Sequence, residues 1–202
     1  MYDETKLIEK LHAYTQKNMP KLPYHNFEHV LEVVSAANEF GSNLIARSKI
    51  NTHDKFLLIC AAYLHDIVYI PGRKDNEEKS CIKAEKKLTS LDFNEFDIQR
   101  IKILIMSTKL GTEPATLLEQ TLKDADLWNI GTTQFLDNNQ RFRHEMPEMS
   151  DEEWNSMTIK FLESNEFRTD PAREMLESQR RNNLNMMIEM QKTLKEKSPK
   201  SS

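Results

Sequence analysis

The chain has 202 residues, of which 38% are hydrophobic and 30% are charged, and its formal net charge is −4. This length suits one domain with a single core, and the negative charge is unlike the basic face of a nucleic-acid-binding protein. The longest apolar run, residues 56–64, is shorter than the roughly 20 residues that span a bilayer, so no membrane segment is expected.

The first residues and the two cysteines indicate a cytoplasmic protein. Acidic residues stand near the N-terminus, where a secretion signal carries a basic and then an apolar region. Cys60 lies in an apolar run and Cys81 in a charged segment, and two cysteines do not make a disulfide framework. We therefore expect a protein of the cytoplasm with reduced thiols.

Helical periodicity appears along almost the whole chain, glycine is scarce, and alternating strand patterns are hard to find. A first helix is expected to end near Asn18, and a second to reach Gly41 or a little beyond. The segment 54–67 is apolar on nearly every side and predicts the central, buried helix. Further helices are predicted over residues 77–88, 95–107, 114–121, 132–144, 151–163 and 171–195.

No repeat or long linker interrupts this pattern. The sequence therefore predicts a single all-α domain of about 7 to 10 helices over residues 1–195. The Lys- and Ser-rich residues 196–202 are expected to form a disordered tail. On the last helix, Met186, Met187 and Met190 suit either a packing stripe or a homodimer face.

Two histidines stand four residues apart in the run Tyr24-His25-Asn26-Phe27-Glu28-His29. On a helix, His25 and His29 would lie one turn apart on the same face, as a pair of metal ligands requires. Asn26 is also a good helix N-cap. In that geometry His29 alone needs to be a ligand, and His25 overlooks the site from the preceding turn.

Carboxylates follow two apolar segments further along the chain. His65 and Asp66 end the most apolar helix, where an ionised carboxylate costs several kcal/mol unless it is paired and the helix dipole favours a cation. An ion pair with a histidine or arginine is the alternative. Asp124 and Asp126 stand beside another apolar segment, where a helix N-cap is the competing role.

Together, in this order within a helical chain, the three motifs predict a site for one divalent metal ion. Imidazole nitrogens and carboxylate oxygens in equal number suit Mn²⁺, Fe²⁺, Co²⁺, Ni²⁺ or Zn²⁺, and Mg²⁺ stays a candidate.

These motifs resemble those of the HD superfamily of metal-dependent phosphohydrolases, which is named for the pattern His…His-Asp…Asp. The chain is similar to a small bacterial family of predicted metal-dependent phosphohydrolases within it. Its Tyr-His-Asn-x-x-His element also resembles that of the cyclic-nucleotide phosphodiesterases. The resemblance extends from Tyr24 to about Glu189 and includes residues 75–80, 142–145 and 181–184. It implies a helical bundle of the HD type.

The resemblance also implies roles for individual residues. The metal ion would be held by four ligands, His29, His65, Asp66 and Asp126. Asp124 is the second choice for the fourth ligand. His25 matches the histidine that donates a proton to the leaving group in the phosphodiesterases. Glu77 falls where related enzymes keep an acid near the metal's water, and Asp66 is an alternative orienter or base for that water.

Substrate contacts are expected from three residues. Arg143 matches a basic position expected to face the substrate phosphate, and Asn26 is a further candidate. Where a further histidine would be expected, this chain reads Ser107-Thr108-Lys109-Leu110-Gly111. Dinuclear HD enzymes use extra histidines in this region, so we expect a mononuclear site in which Lys109 offers its charge to phosphate.

The expected function is hydrolysis of a small phosphate ester or anhydride, with a nucleotide as the expected substrate. A metal-bound hydroxide would attack phosphorus while His25 protonates the leaving oxygen. The motifs do not distinguish a phosphomonoesterase, a phosphodiesterase and a pyrophosphohydrolase.

Two alternatives to a phosphohydrolase stay open. One is a non-catalytic HD-fold nucleotide-binding or scaffold protein that keeps the metal. The other is a di-iron oxygenase, which needs more ligands than the middle region supplies.

Overall fold

A computed structural model of the chain describes residues 3–146 and 148–197. Over these residues there are nine α-helices, one 3₁₀ helix and no strand, which confirms the all-α prediction. The α-helices are α1 Glu4–Asn18, α2 Phe27–Ala46, α3 Thr52–Leu64, α4 Asn76–Thr89, α5 Glu95–Thr108, α6 Leu117–Asp126, α7 Phe135–Arg143, α8 Asp151–Ser164 and α9 Asp170–Lys197. The 3₁₀ helix is Trp128–Gly131. The tail predicted over residues 196–202 falls mainly outside the described residues, and α9 extends to Lys197.

Helix α3 lies at the centre of the bundle, as its apolar sequence predicts. Every side chain from Phe56 to Leu64 is buried, and the helix packs against α1, α2, α4, α5 and α6. A capping box starts it: the Asp54 amide donates to Asn51 Oδ1 at 2.8 Å, and the Asn51 amide donates to Asp54 Oδ2 at 3.1 Å. The helix ends at Leu64, so the two polar residues that follow emerge from the core at its carboxyl end.

Helix α6 differs from its prediction, because it runs over Leu117–Asp126 and not over residues 114–121. Pro114 lies in the loop, and Thr116 begins the helix by accepting the Glu119 amide at 3.3 Å. The apolar face continues through Leu122 and Ala125, which are both fully buried. Consequently the Asp-Ala-Asp segment forms the last turn of a helix instead of following one.

A buried lysine joins α6 to the end of α5. The Lys123 ammonium donates to the carbonyls of Ser107 at 3.2 Å, Lys109 at 3.0 Å and Thr112 at 2.8 Å. These carbonyls lie at the carboxyl end of α5 and in the following loop, where helical partners are missing. Burial lowers the pKa of Lys123. One side chain therefore holds the loop that precedes the aspartates of α6.

The second half of the chain closes the bundle with α9, which packs against α2, α6, α8 and the 3₁₀ helix. Its approach is close at Gly131, where a Cβ would lie 2.6 Å from the Cβ of Leu176. Met187 is fully buried in this packing, whereas Met190 is 42% exposed. Both cysteines are free thiols, as predicted. Within the described part of the chain, no helix combines the length and apolarity that crossing a membrane requires.

Replacing Lys123 with methionine tests the role of its ammonium in stability. Lys123→Met keeps the length of the side chain but leaves three carbonyls without their donor. We expect the free energy of unfolding to fall by about 3 kcal/mol in urea denaturation. The exposed Lys10→Met is the control and should change it by less than about 0.5 kcal/mol. If the free energy of unfolding fell equally in the two variants, the three hydrogen bonds of Lys123 would not contribute to stability.

Candidate metal centre

The first ligand candidate, His29, is placed by the cap of α2. The side-chain oxygen of Asn26 accepts the amides of Glu28 at 2.8 Å and His29 at 3.2 Å, so the helix begins at Phe27. His29 therefore lies in the first turn, where its ring is almost completely buried. His25 precedes the helix, so the alternative with Asn26 as N-cap describes this segment correctly.

His65 follows the last residue of α3 and is 1% exposed. Its Nδ1 lies 2.8 Å from the carbonyl oxygen of Ala62, so Nδ1 carries the proton and donates it. The other nitrogen, Nε2, is buried and forms no hydrogen bond with any described residue. A buried polar atom without a hydrogen-bond partner is costly, and a bound cation would satisfy this one.

Two carboxylates and a second imidazole surround this nitrogen. The Oδ1 atom of Asp126 lies 3.3 Å from Nε2 of both His65 and His29. The Oδ2 atom of Asp66 lies 3.5 Å from the former nitrogen and 3.8 Å from the latter. Ligand atoms bonded at about 2.0–2.2 Å to a common first-row ion lie about 3.0–3.5 Å apart. The ligand atoms of His29, His65 and Asp66 all lie within 4.8 Å of one another, and Asp126 approaches both imidazoles of this group.

The carboxylates of this cluster draw positive charge to the imidazoles. Burial lowers the pKa of His65, but the carboxylates of Asp66 and Asp126 outweigh it and raise the pKa to about 9. Burial alone would raise the pKa of Asp126, yet the imidazoles of His29 and His65 hold it far below its usual range. The carboxylates therefore attract positive charge strongly. A metal ion would compete with protons for the imidazoles and bind more tightly as pH rises.

Asp124, the second choice for the fourth ligand, faces a different part of the molecule. It is completely buried, and its carboxylate accepts the amides of Arg168 at 3.0 Å and Thr169 at 2.7 Å. It also accepts the Thr169 hydroxyl at 2.7 Å. Residues two apart on a helix point in nearly opposite directions. Asp124 therefore anchors the start of α9 while Asp126 faces the histidines.

His25 lies beside the cluster and is held by Glu145. The Nδ1 atom of His25 is 2.5 Å from Oε2 of Glu145, and Oε1 accepts the amides of Tyr24 at 2.6 Å and His25 at 2.8 Å. Burial alone would raise the pKa of Glu145, but these hydrogen bonds lower it. The ionised carboxylate orients the ring so that Nδ1 donates to it, which leaves Nε2 for chemistry.

No role for Glu145 is predicted from the sequence. The residue belongs to the segment 142–145 that carries the family resemblance, yet Arg143 was the residue singled out there. Glu145 is 120 positions from His25, and it is buried just beyond the end of α7. Spacing cannot connect residues so far apart. The one available signal was an acidic residue two positions after the motif's arginine.

Glu77 lies in the first turn of α4 and is half-buried. Burial raises its pKa, and the negative charge of Asp66 adds to the rise, while the charge of Lys109 opposes it. The side chain is thus close enough to the metal-ligand candidates to respond to them. A carboxylate with a raised pKa next to such a cluster is suited to accepting a proton.

The three predicted substrate contacts have other partners in this structure. Lys109 forms an ion pair with Glu78, and Arg143 forms one with Asp151 at the start of α8. The amide of Asn26 donates to two carbonyls of the preceding turn while its oxygen caps α2. Asn26 is therefore committed to the backbone. The two cations sit in partly exposed pairs, which contribute about 0–1 kcal/mol and exchange readily.

Comparison with known proteins identifies the class to which this fold and site belong. The family model described as HD domain matches residues 26–127, a range that includes all four ligand candidates. The chain belongs to the HD domain family. No curated protein matches the sequence.

Solved structures show the same fold over almost the whole chain. Bacillus subtilis YpgQ in complex with ADP has a TM-score of 0.70 and 17% identity, covering 94% of this chain and 96% of that one. The Lin1889 protein from Listeria innocua has a TM-score of 0.70 and 13% identity, covering 96% and 98%. A protein from Lactobacillus plantarum has a TM-score of 0.71 and 17% identity, covering 96% and 97%. At these identities the likeness shows the fold.

The two aspartates of α6 allow a matched test of the site. We expect Asp126→Asn to weaken binding of Mn²⁺ by more than the 10- to 100-fold typical of changes outside the ligand sphere. Asp124→Asn should leave Mn²⁺ binding intact and lower the free energy of unfolding by about 2 kcal/mol, because its new amide faces backbone donors. Calorimetric titration and urea denaturation measure the two effects. Loss of Mn²⁺ binding in the Asp124 variant alone would exchange the roles assigned to the two residues.

Proposed function

We propose that the protein is a metal-dependent phosphohydrolase that cleaves a phosphate ester or anhydride of a nucleotide. One observation carries the proposal. The buried Nε2 atom of His65, which lacks a hydrogen bond among the described residues, faces His29 Nε2 and the oxygens of Asp66 and Asp126. A bound cation would interact favourably with all of these nitrogen and oxygen atoms.

The donor set indicates the class of cation. Two imidazole nitrogens and two carboxylate oxygens suit Mn²⁺, Fe²⁺, Co²⁺, Ni²⁺ and Zn²⁺ better than Mg²⁺, which prefers oxygen alone. When bound, such an ion lowers the pKa of water in its coordination sphere and offsets negative charge on a phosphoryl group. One ion is expected, because the middle region offers Lys109 where a further histidine would stand.

His25 is the proposed general acid. Its Nδ1 proton is engaged by Glu145, so the proton that reaches the leaving oxygen comes from Nε2. The hydrogen bond to Glu145 also holds the ring in one orientation. His25 lies beside the ligand candidates, since the centres of its ring and the His29 ring are 5.8 Å apart. A donor next to the cation is the position that protonation of a leaving group requires.

Glu77 is the proposed acceptor for the proton of the attacking water, with Asp66 as the alternative. Its raised pKa places its proton affinity above that of an ordinary glutamate, while partial exposure allows the proton to leave. Asp66 is committed to the two imidazoles, at 3.5 and 3.8 Å. Glu77 is therefore our first choice for this proton acceptor.

The proposal of a nucleotide substrate is supported by the solved structure of YpgQ with ADP. In this chain, Lys109 and Arg143 can exchange their carboxylate partners for phosphate oxygens, because both ion pairs are partly exposed. The same pairs also favour a second candidate, a non-catalytic protein that binds a nucleotide at a metal site. In that case the cations stay with Glu78 and Asp151, and no charge is provided for the transition state.

Metal content and phosphate release, measured on the same samples, decide between the two candidates. Wild type and His65→Ala are purified without added metal, analysed for metals, and assayed with Mn²⁺ against nucleotides and a generic phosphodiester. We expect about one metal ion per chain and turnover in the wild type, with both lost in His65→Ala. Metal without turnover would favour the binding protein. No metal, even after addition of Mn²⁺, Co²⁺ or Ni²⁺, would refute the site itself.

Variants of His25 and its partner test the assignment of the general acid. His25→Ala should retain the metal and lower kcat on the order of 10²- to 10⁴-fold, since proton donation contributes that much. Glu145→Gln should lower kcat in the same direction, because its ring partner loses its orientation. The exposed neighbour His144→Ala is the control and should behave as wild type. If His25→Ala lost the metal, then His25 would be a ligand.

A further inference from the structure

A short segment after the metal-ligand candidates is held by α4 in an unusual way. The Ser80 hydroxyl is 3.1 Å from both the amide and the carbonyl of Val68. One turn earlier, Asn76 accepts the amide of Ile70 at 3.0 Å and donates to its carbonyl at 3.1 Å. Both side chains are buried. Helix α4 thus pairs with alternate residues of this segment as a neighbouring strand would.

The residue between these two pairs is Tyr69, and its ring lies flat on the ring of His25. The ring centres are 3.4 Å apart and the planes meet at 12°. The two pairs anchor the backbone on both sides of Tyr69. The residue that stacks on His25 is therefore held from both sides along the chain.

The stack supplies a constraint that Glu145 cannot. The hydrogen bond from Nδ1 to Oε2 fixes one atom of the His25 ring, at 2.5 Å, but permits the ring to turn about that bond. The face of Tyr69 fixes the plane of the ring. Phe142 meets it edge-on at 5.2 Å and 79°, which limits sideways movement. Together these contacts determine where Nε2 points.

We propose that Tyr69 is the positioning residue for the general acid His25, acting through the face of its ring and not through its hydroxyl. This inference rests on the proposed function for its catalytic meaning. The proton that His25 delivers leaves from Nε2 to the leaving oxygen, and a tilt of the ring displaces that atom. Misplacement by about 1 Å can cost on the order of 100-fold in rate. Tyr69 should therefore influence kcat and not the affinity for substrate or metal.

Two substitutions separate the ring from the hydroxyl. Tyr69→Phe keeps the stacking face and should retain at least about half of wild-type kcat. Tyr69→Leu removes the face and should lower kcat on the order of 10-fold or more, with KM and bound Mn²⁺ unchanged. Ile70→Ala, at the exposed neighbouring side chain, is the matched control and should act as wild type. An equal loss in Tyr69→Phe and Tyr69→Leu would overturn the proposal, because the hydroxyl would then be the working group.

A double variant shows whether Tyr69 acts through His25. In a His25→Ala background, Tyr69→Leu should cause no further loss of kcat, since the group that it positions is already absent. The effect of Tyr69→Leu on kcat should also be smaller with a nitrophenyl phosphate ester as substrate, because the nitrophenolate leaving group needs little protonation. Independent losses that multiply would place Tyr69 elsewhere in the reaction and would overturn the proposal.

A measurement that needs no turnover keeps this inference separate from the proposed function. The ring protons of His25 lie over an aromatic face, so their NMR signals should appear upfield of those in Tyr69→Leu and unchanged in Tyr69→Phe. The His25→Ala spectrum assigns them. Identical His25 signals in wild type and Tyr69→Leu would overturn the stack. Absence of turnover in a wild type that shows the upfield signals would refute the hydrolase instead.

Discussion

The carboxylates of Asp66 and Asp126 converge on the imidazoles of His29 and His65 in the buried end of a helical bundle, and the rest of the site is arranged around them. Removing an ionised carboxylate from water costs several kcal/mol unless opposite charge or hydrogen bonds replace the water. Here three helices, α2, α3 and α6, bring their termini to one point, and the lysine in the last turn of α6, Lys123, donates its ammonium protons to backbone carbonyls instead. The arrangement is stable when positive charge enters from outside the chain, which is the physical basis for assigning a divalent cation.

The ligand candidates are positioned by side chains that form hydrogen bonds with the backbone at the ends of helices. Asn26 caps α2 and sets the position of His29, while Ala62 accepts the Nδ1 proton of His65 and fixes its ring. Lys123 joins α6 to the end of α5, and Asp124 joins α6 to the start of α9. These contacts lie one layer behind the ligand candidates. They hold Asp126 in the last turn of α6. If α6 ended at residue 121, as predicted, Asp126 would lie in a loop.

The residues around His25 differ in kind from those around the metal-ligand candidates. Glu145 holds one nitrogen by hydrogen bonding, whereas Tyr69 and Phe142 hold the ring by its face and edge. The histidines therefore have two kinds of surroundings. His29 and His65 direct Nε2 toward the carboxylates of Asp66 and Asp126, whereas His25 lies against Glu145 through Nδ1.

The sequence by itself determined the helical class, the central position of α3 and the identity of the clustered residues, because these depend on local periodicity and on costly polar residues beside apolar runs. Tertiary structure alone decided which carboxylate of the Asp-Ala-Asp segment faces the histidines, since that follows from α6 extending through Asp126. It also decided the partners of His25, which come from positions 69 and 145. Contacts between residues so distant in sequence depend on how the helices pack, and no spacing along the chain encodes them.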